Sequence, residues 1–156
     1  MGDWYHFRLA SERRDSEGRH PNMISKEQRN QMVGYWWAKA QDSLTSARRE
    51  LEAGAYSFAM NRLYYAAFYG VCAALLDRNQ SFRKHSGVRA AFHRQFIKTG
   101  LLDTQWGRLY DQLFEDRQEG DYVLFVSFEP EYVEFQLTQC SEFLAELQRL
   151  VSSILG

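Results

Sequence analysis

The chain has few residues that break a helix and none of the long apolar runs that cross a membrane. Only two prolines occur among its 156 residues, Pro21 and Pro130, so residues 22–129 are free of the strongest helix breaker. No run of about 18 apolar residues exists, and residues 1–20 lack the apolar core of a secretory signal. These absences predict a mostly helical, cytoplasmic protein without a membrane span.

Cysteine and glycine patterns exclude several classes of enzyme. Cys72 and Cys140 are the two cysteines, and each falls in an apolar helical pattern without CxxC spacing. We therefore expect two reduced core residues and no bound metal or cofactor. The sequence also lacks a phosphate-binding glycine loop, the dinucleotide glycine pattern and the HExxH zinc motif.

Apolar residues recur at helical spacing along most of the chain, of which 45% is hydrophobic and 15% aromatic. This pattern predicts an all-α fold, an antiparallel up-and-down bundle of about five helices. The expected helices cover about 25–53, 56–79, 86–99 and 103–118, and a last helix starts at Pro130. Residues 1–24 are expected to form an N-terminal extension, and residues 25–156 the bundle.

The predicted helices have recognisable ends and faces. Ser25 and Gln28 form a capping-box pattern, and Gly54, Gly100 and Gly120 are expected to end the first, third and fourth helices. The second helix is apolar almost all round, which predicts either a central helix or a helix with one face at a subunit interface. Phe58 belongs to the apolar stripe of the second helix and Phe135 to the apolar positions of the last helix, and residues 122–128 are interpreted as a buried extended loop.

The net charge of −1 hides two segments of opposite charge. Residues 77–108 carry a net charge of +5, and residues 109–156 carry −8. Complementary solvated helix faces would explain this segregation, and so would a nucleic-acid footprint or a charged dimer contact.

Arg62 and Arg117 lie on apolar helix faces, where a guanidinium requires a partner. Asp121 is the nearest candidate carboxylate for either arginine, which predicts a buried ion pair between the second and fourth helices. Alternatively, these residues form a polar pocket for a phosphate or a base, together with His85 and the tyrosines, of which Tyr65 and Tyr122 are the candidates.

His85 follows Arg83 and Lys84 at the predicted start of the third helix. A helix N-terminus favours an anion, and the neighbouring cations favour a neutral imidazole. His85 is therefore either a ligand-binding residue or a helix cap that packs in the core.

Four segments resemble those of a known family. They are GAYSFAMNRLYYAAFYGVCAALL (54–76), KHSGV (84–88), FIKTGLL (96–102) and RQEGDY (117–122). Their order is similar to that of HEPN domains, in particular the small stand-alone bacterial and archaeal proteins, from about Trp36 to Leu150.

The resemblance implies a helical bundle that forms a homodimer and accompanies a nucleotidyltransferase in a toxin–antitoxin-like pair. Many relatives of this type are metal-independent ribonucleases with an Arg-x(4–6)-His motif across the dimer interface. Here no histidine follows Arg117 at the corresponding place, whereas Arg78 and His85 form a literal match elsewhere and are the catalytic candidates.

The sequence therefore predicts a HEPN-like protein that binds a nucleotide or RNA, with a nucleotidyltransferase as partner. A metal-independent ribonuclease toxin and a purely structural interaction module are the alternatives. The candidate ligand-binding residues are Arg62, Tyr65, His85, Arg117, Asp121 and Tyr122.

Overall fold

The computed structural model describes residues 24–122 and 126–151, and these form five α-helices and no strand. The predicted extension, residues 1–24, lies outside the described residues apart from Ile24. The helices are α1 (Lys26–Glu52), α2 (Tyr56–Asp77), α3 (His85–Phe92), α4 (Thr104–Tyr122) and α5 (Pro130–Leu150), and a π-helical turn (His93–Ile97) continues α3. The predicted all-α class is confirmed, and none of the described helices is long and apolar enough to cross a membrane.

Helices α1 and α2 run antiparallel. The Ser43 hydroxyl donates a hydrogen bond of 2.7 Å to the Arg62 carbonyl, and the Trp36 and Tyr69 rings lie 5.6 Å apart. Residue numbers thus rise along one helix as they fall along the other. The same reversal relates α2 to α4, where Asn61 contacts Asp121 and Tyr65 contacts Arg117, so these long helices alternate in direction as the sequence predicts.

Helix α2 is the centre of the bundle, because fourteen of its 22 residues are buried. A Cβ atom on Gly70 would lie 2.7 Å from Leu144 Cδ2, so glycine lets α2 and α5 approach closely at this point. Cys72 and Cys140 are free thiols in the core, and the Cys140 thiol donates to the Leu63 carbonyl. The sequence correctly identified the central helix and the two core cysteines.

Several predicted helix ends are confirmed. The Ser25 hydroxyl accepts a hydrogen bond of 3.1 Å from the Gln28 backbone, and the Gln28 side chain accepts one of 3.1 Å from the Ser25 backbone. Gly54 and Gly100 have φ angles of 76° and 82°, in the left-handed region that glycine adopts readily.

The prediction that Gly120 ends the fourth helix is wrong, since α4 continues to Tyr122. A Cβ atom on Gly120 would lie 3.1 Å from the Phe128 ring, so glycine here permits close packing. The expected buried loop, residues 122–128, lies partly outside the described residues. Its described part is not buried: Tyr122 is 74% exposed, Ser127 is exposed and Phe128 is half-buried.

Two phenylalanines at apolar positions of their helices are not buried in the core, since Phe58 is 70% and Phe135 58% exposed. Phe58 begins a stripe that continues through Arg62, Tyr65 and Tyr69 at helical spacing. These three residues are only half-buried. On α5, Phe135 points away from the core-facing residues of that helix.

The third helix was predicted to run without interruption over 86–99. Instead α3 changes to a π-helical turn at His93, whose carbonyl accepts a hydrogen bond of 2.8 Å from the Lys98 backbone. Such turns shift the helical register of the residues that follow and are often found near functional sites.

Candidate functional site

A pocket of about 580 Å³ opens along the half-buried face of α2, between α1 and α4. The start of α3 and the preceding loop close its third side. The pocket is rich in aromatic rings and contains two guanidinium groups. Its lining residues are Trp36, Tyr65, Phe68, Tyr69, Arg83, His85, Phe114, Arg117, Gln118 and Tyr122.

Arg117 is held in place within this pocket by two side chains. Its Nε donates a hydrogen bond of 3.1 Å to Asp121 Oδ2, one helical turn further along α4. Its Nη2 donates one of 3.2 Å to the Tyr65 hydroxyl, and the guanidinium lies 5.4 Å from the centre of the Tyr64 ring. Such an oriented arginine suits recognition of a phosphate, because its donors are already directed before the ligand arrives.

The predicted ion pair between Arg62 and Asp121 is wrong. The Arg62 guanidinium donates a hydrogen bond of 3.0 Å from Nε to Asn61 Oδ1, and the Asn61 amide donates one of 3.1 Å to Asp121 Oδ2. Arg62 is half-buried and lies 5.2 Å from the centre of the Tyr65 ring, so it is not enclosed in the core. A neutral side chain therefore bridges the two charges, and the Asp121 carboxylate pairs with Arg117.

His85 lies at the first position of α3 and contacts α2 in two ways. The Tyr64 hydroxyl and His85 Nδ1 are 2.8 Å apart, and the imidazole stacks on the Phe68 ring with centroids separated by 4.2 Å. Burial and the nearby Arg117 guanidinium lower the pKa of His85 to about 4, so the imidazole is neutral at pH 7. Burial also raises the pKa of Tyr64 well above its usual value, which keeps its hydroxyl protonated.

Aromatic residues of the pocket were the part that sequence reasoning missed. Trp36, Phe68, Tyr69 and Phe114 line it, although the sequence alone indicates core positions for them. The Trp36 and Tyr69 rings pack against each other from α1 and α2. The stripe of rings around Arg62 could have indicated these pocket residues from the sequence. An arginine among aromatic residues on one helix face indicates that this face is not enclosed in the core.

The other predicted residues are divided between the pocket and its surroundings. Four of them line the pocket: Tyr65, His85, Arg117 and Tyr122. Arg62 and Asp121 are not among the lining residues, and both are hydrogen-bonded to Asn61. Arg83 and Gln118 also line it, and sequence reasoning had not assigned them as ligand-binding residues.

Arg78 is not brought into the pocket with His85. Its guanidinium lies 4.6 Å from the centre of the Phe96 ring, in the π-helical turn. The literal Arg78–His85 match therefore does not form a shared site. In the part of the chain that the structure describes, no three His, Cys, Asp or Glu side chains are grouped so that they could hold a metal ion.

Comparisons with known proteins show which family this sequence resembles. The model of the HEPN domain matches residues 33–150. A "UPF0332 protein" of Thermotoga maritima is 39% identical over 127 residues, which cover 81% of this chain and 96% of the relative. "Putative toxin MJ0142" of Methanocaldococcus jannaschii is 33% identical over 115 residues, 74% of this chain and 78% of the relative. A second protein of that archaeon, "Putative toxin MJ0605", is 28% identical over 116 residues.

Proposed function

The chain belongs to the HEPN domain family, and on that premise we propose that it is a toxin-like protein that binds a nucleotide, free or as part of an RNA. The toxin-like role rests on the names of the two archaeal relatives. The ligand rests on the pocket, whose chemistry fits both parts of a nucleotide.

The observation that carries the proposal is the placement of Arg117 among aromatic rings. Its guanidinium, fixed by Asp121 and Tyr65, offers directed donors to a phosphate, and Arg83 supplies a second positive charge in the same pocket. Arginine binds phosphate oxygens in a planar, bidentate manner. A bound anion would also be stabilised by the N-terminus of α3.

The aromatic rings that line the pocket, which we call the aromatic wall, provide a surface for the base. A nucleobase can stack on an aromatic ring, and such stacking contributes about 1–3 kcal/mol per base. Tyr122, on the last turn of α4, presents an exposed ring at the pocket, and the half-buried rings of Tyr65 and Tyr69 lie on the α2 side. His85 and Gln118 add polar groups that can hydrogen-bond to a base or a ribose.

We further propose that the protein forms a homodimer and pairs with a nucleotidyltransferase antitoxin. The exposed rings of Phe58 and Phe135, large apolar groups on α2 and α5, support a protein contact on these helices. Size-exclusion chromatography with light scattering tests the dimer. Copurification with the product of a neighbouring nucleotidyltransferase gene tests the partner.

Isothermal titration with the four ribonucleoside monophosphates and a short single-stranded RNA tests ligand binding. We expect heat from at least one ligand and a loss of affinity of about tenfold or more in Arg117→Gln, as for a charge-assisted contact. Arg149→Gln is the matched control, because Arg149 forms an ion pair with Glu146 on the surface of α5. Absence of heat and of a thermal shift with every ligand would refute the proposal.

A ribonuclease is the second candidate, and it is favoured by the presence of His85 and Arg117 in one pocket. A neutral imidazole can accept the proton of a ribose 2′-hydroxyl as that oxygen attacks phosphorus and the bond from phosphorus to the 5′-oxygen breaks, which leaves a 2′,3′-cyclic phosphate. The protonated imidazole or water then gives a proton to the departing 5′-oxygen, while the arginine stabilises the negative charge that builds up on the phosphoryl oxygens. We would then expect RNA cleavage that persists in EDTA and is lost in His85→Ala. RNA left equally intact by both proteins would exclude this candidate.

A further inference from the structure

Residues 78–102 contain six lysines and arginines and no acidic residue. One of the six, Arg89, donates to Asp111 Oδ1 at 2.7 Å and thereby ties α3 to α4. Arg78, Lys84, Arg94 and Lys98 are exposed, and within the described chain none of these four forms an ion pair. We call these four residues the basic strip.

The basic strip follows α3 and its π-helical turn away from the pocket. Arg94 and Lys98 are four residues apart and both exposed, and the Arg78 guanidinium packs on Phe96 in the same turn. A hydrogen bond between the Gln80 and Gln95 side chains holds the loop before α3 against this turn. At the other end, Lys84 directly follows Arg83, which lines the pocket. His85 to Ile97 spans about 18 Å at a helical rise of about 1.5 Å per residue.

The charge at the start of α3 is unfavourable for the helix itself. Like α2, α3 has no acidic residue in its first turn and no side-chain cap. Instead Lys84 occupies the N-cap position, where a positive charge opposes the helix dipole. The Lys84 charge therefore does not stabilise α3, and an anionic partner would neutralise it.

We propose that the basic strip binds the backbone phosphates of a single-stranded RNA, one nucleotide of which occupies the pocket. The inference rests on the proposed function, because the pocket supplies the base-stacking end of the same site. The strip continues from the pocket through Arg83 and Lys84, so one polynucleotide can contact both. An acidic protein segment would complement the charge of the strip but would leave the aromatic wall without a matching group.

The experiment compares a mononucleotide with an RNA chain. Fluorescence anisotropy measures binding of a 2′-O-methyl oligouridylate of about 12 nucleotides, which resists cleavage through the 2′-oxygen, from about 50 to about 300 mM salt. Uridine monophosphate is titrated in parallel by calorimetry. The test variant is Arg94→Gln/Lys98→Gln, and the control is Arg48→Gln/Arg49→Gln, which removes two exposed charges from α1.

We expect the test variant to lower the slope of log affinity against log salt by about 1.4, since each phosphate contact on a single strand contributes about 0.7. Its affinity for the monophosphate should be unchanged, and the control should behave as the wild type. An unchanged slope and RNA affinity in the test variant would overturn the proposal while leaving the pocket proposal standing. If the wild type gives no signal with the monophosphate but binds RNA, and Arg94→Gln/Lys98→Gln weakens that RNA binding, then the nucleotide pocket is refuted and RNA binding by the basic strip is supported.

Competition with polyglutamate separates RNA from an acidic protein. The proposal expects polyglutamate to compete only at concentrations far above those of the oligouridylate. If polyglutamate binds as tightly as RNA and is weakened equally by Arg94→Gln/Lys98→Gln, the strip recognises acidic chains and the RNA proposal is wrong.

Discussion

Tyr64 and His85 are joined by a hydrogen bond of 2.8 Å between the tyrosine hydroxyl and the imidazole Nδ1. Tyr64 is completely buried, so its position is set by the core of the bundle and not by the pocket. The bond fixes the ring orientation of His85 and engages its Nδ1 atom. A core residue thereby controls the chemistry of a pocket residue.

The low pKa of His85 should make stability depend on pH in a defined range. The folded protein holds a neutral imidazole with a pKa of about 4, whereas the unfolded chain has a pKa near 6.5. Below pH 6.5 the unfolded state binds a proton that the folded state does not, so the free energy of unfolding falls until about pH 4. Allowing for the partial exposure of His85, we expect this contribution to be about 1–2 kcal/mol.

Urea denaturation from pH 4 to 7 measures this effect, with His85→Gln as the comparison. The difference in stability between wild type and variant should shrink as the pH falls. A difference that is constant over this range would contradict the proposed neutral state of His85. NMR titration of the imidazole in Arg117→Gln should show a raised pKa of His85, since that substitution removes the nearby positive charge.

The hydrogen bonds that link Arg117 to Asp121 and Asp121 to Asn61 should affect nucleotide binding more than the stability of the fold. Asp121→Asn removes the charge that orients Arg117, and we expect nucleotide affinity to fall about tenfold. The free energy of unfolding should fall by less than about 1 kcal/mol, since the pair is partly exposed. Asn61→Ala removes the bridge and should cost about threefold in affinity.

Calorimetric titration and thermal denaturation of the same variants separate the two effects. Glu146→Gln is the control, because it breaks the comparable Arg149 pair on α5 and should leave affinity unchanged. An affinity for nucleotide that is the same in Asp121→Asn and the wild type would show that Arg117 needs no orientation by Asp121.

Gly70 and Gly34 provide a matched pair for the packing of the bundle. Alanine at position 70 would place a methyl group 2.7 Å from Leu144 Cδ2 and 3.2 Å from Leu147 Cδ1, both in the core. We expect Gly70→Ala to destabilise the protein by about 1–2 kcal/mol, since overpacking outweighs the gain in helix propensity.

Gly34 lies in α1, and among the described residues no atom outside the adjacent backbone of that helix lies within 4 Å of the added methyl group. Gly34→Ala should therefore stabilise by about 0.5–1 kcal/mol through helix propensity alone. Chemical denaturation measures both changes, and a Gly70→Ala protein stabilised as much as Gly34→Ala would contradict the close contact of α2 and α5.

Much of the fold could be predicted from the sequence, because helix periodicity and capping are local signals. The Ser25–Gln28 capping box and the glycines at 54 and 100 define helix ends without reference to the rest of the chain. Gly120 misled because a glycine that permits contact with Phe128 looks the same in sequence as a glycine that ends a helix.

The candidate site was predicted only in part, because its geometry depends on contacts between distant segments. Charge and position indicated Arg117 and His85, which do share a pocket. Asn61 escaped notice, since a neutral amide carries no sequence signal of an ion-pair bridge. The buried Asp116 and its hydrogen bond from Tyr132 were likewise not foreseen, because the two residues lie on different helices.

The central claim is that the pocket beside α2 binds a nucleotide, and NMR of selectively labelled histidine and tryptophan rings tests it most directly. His85 and Trp36 line the pocket, whereas His93 pairs with Asp111 and Trp106 packs on Phe143 outside it. On titration with the nucleotide that gives the largest calorimetric signal, we expect the His85 and Trp36 ring signals to shift and those of His93 and Trp106 to stay in place. Unchanged His85 and Trp36 signals at saturating nucleotide, or shifts confined to His93 and Trp106, would contradict the claim.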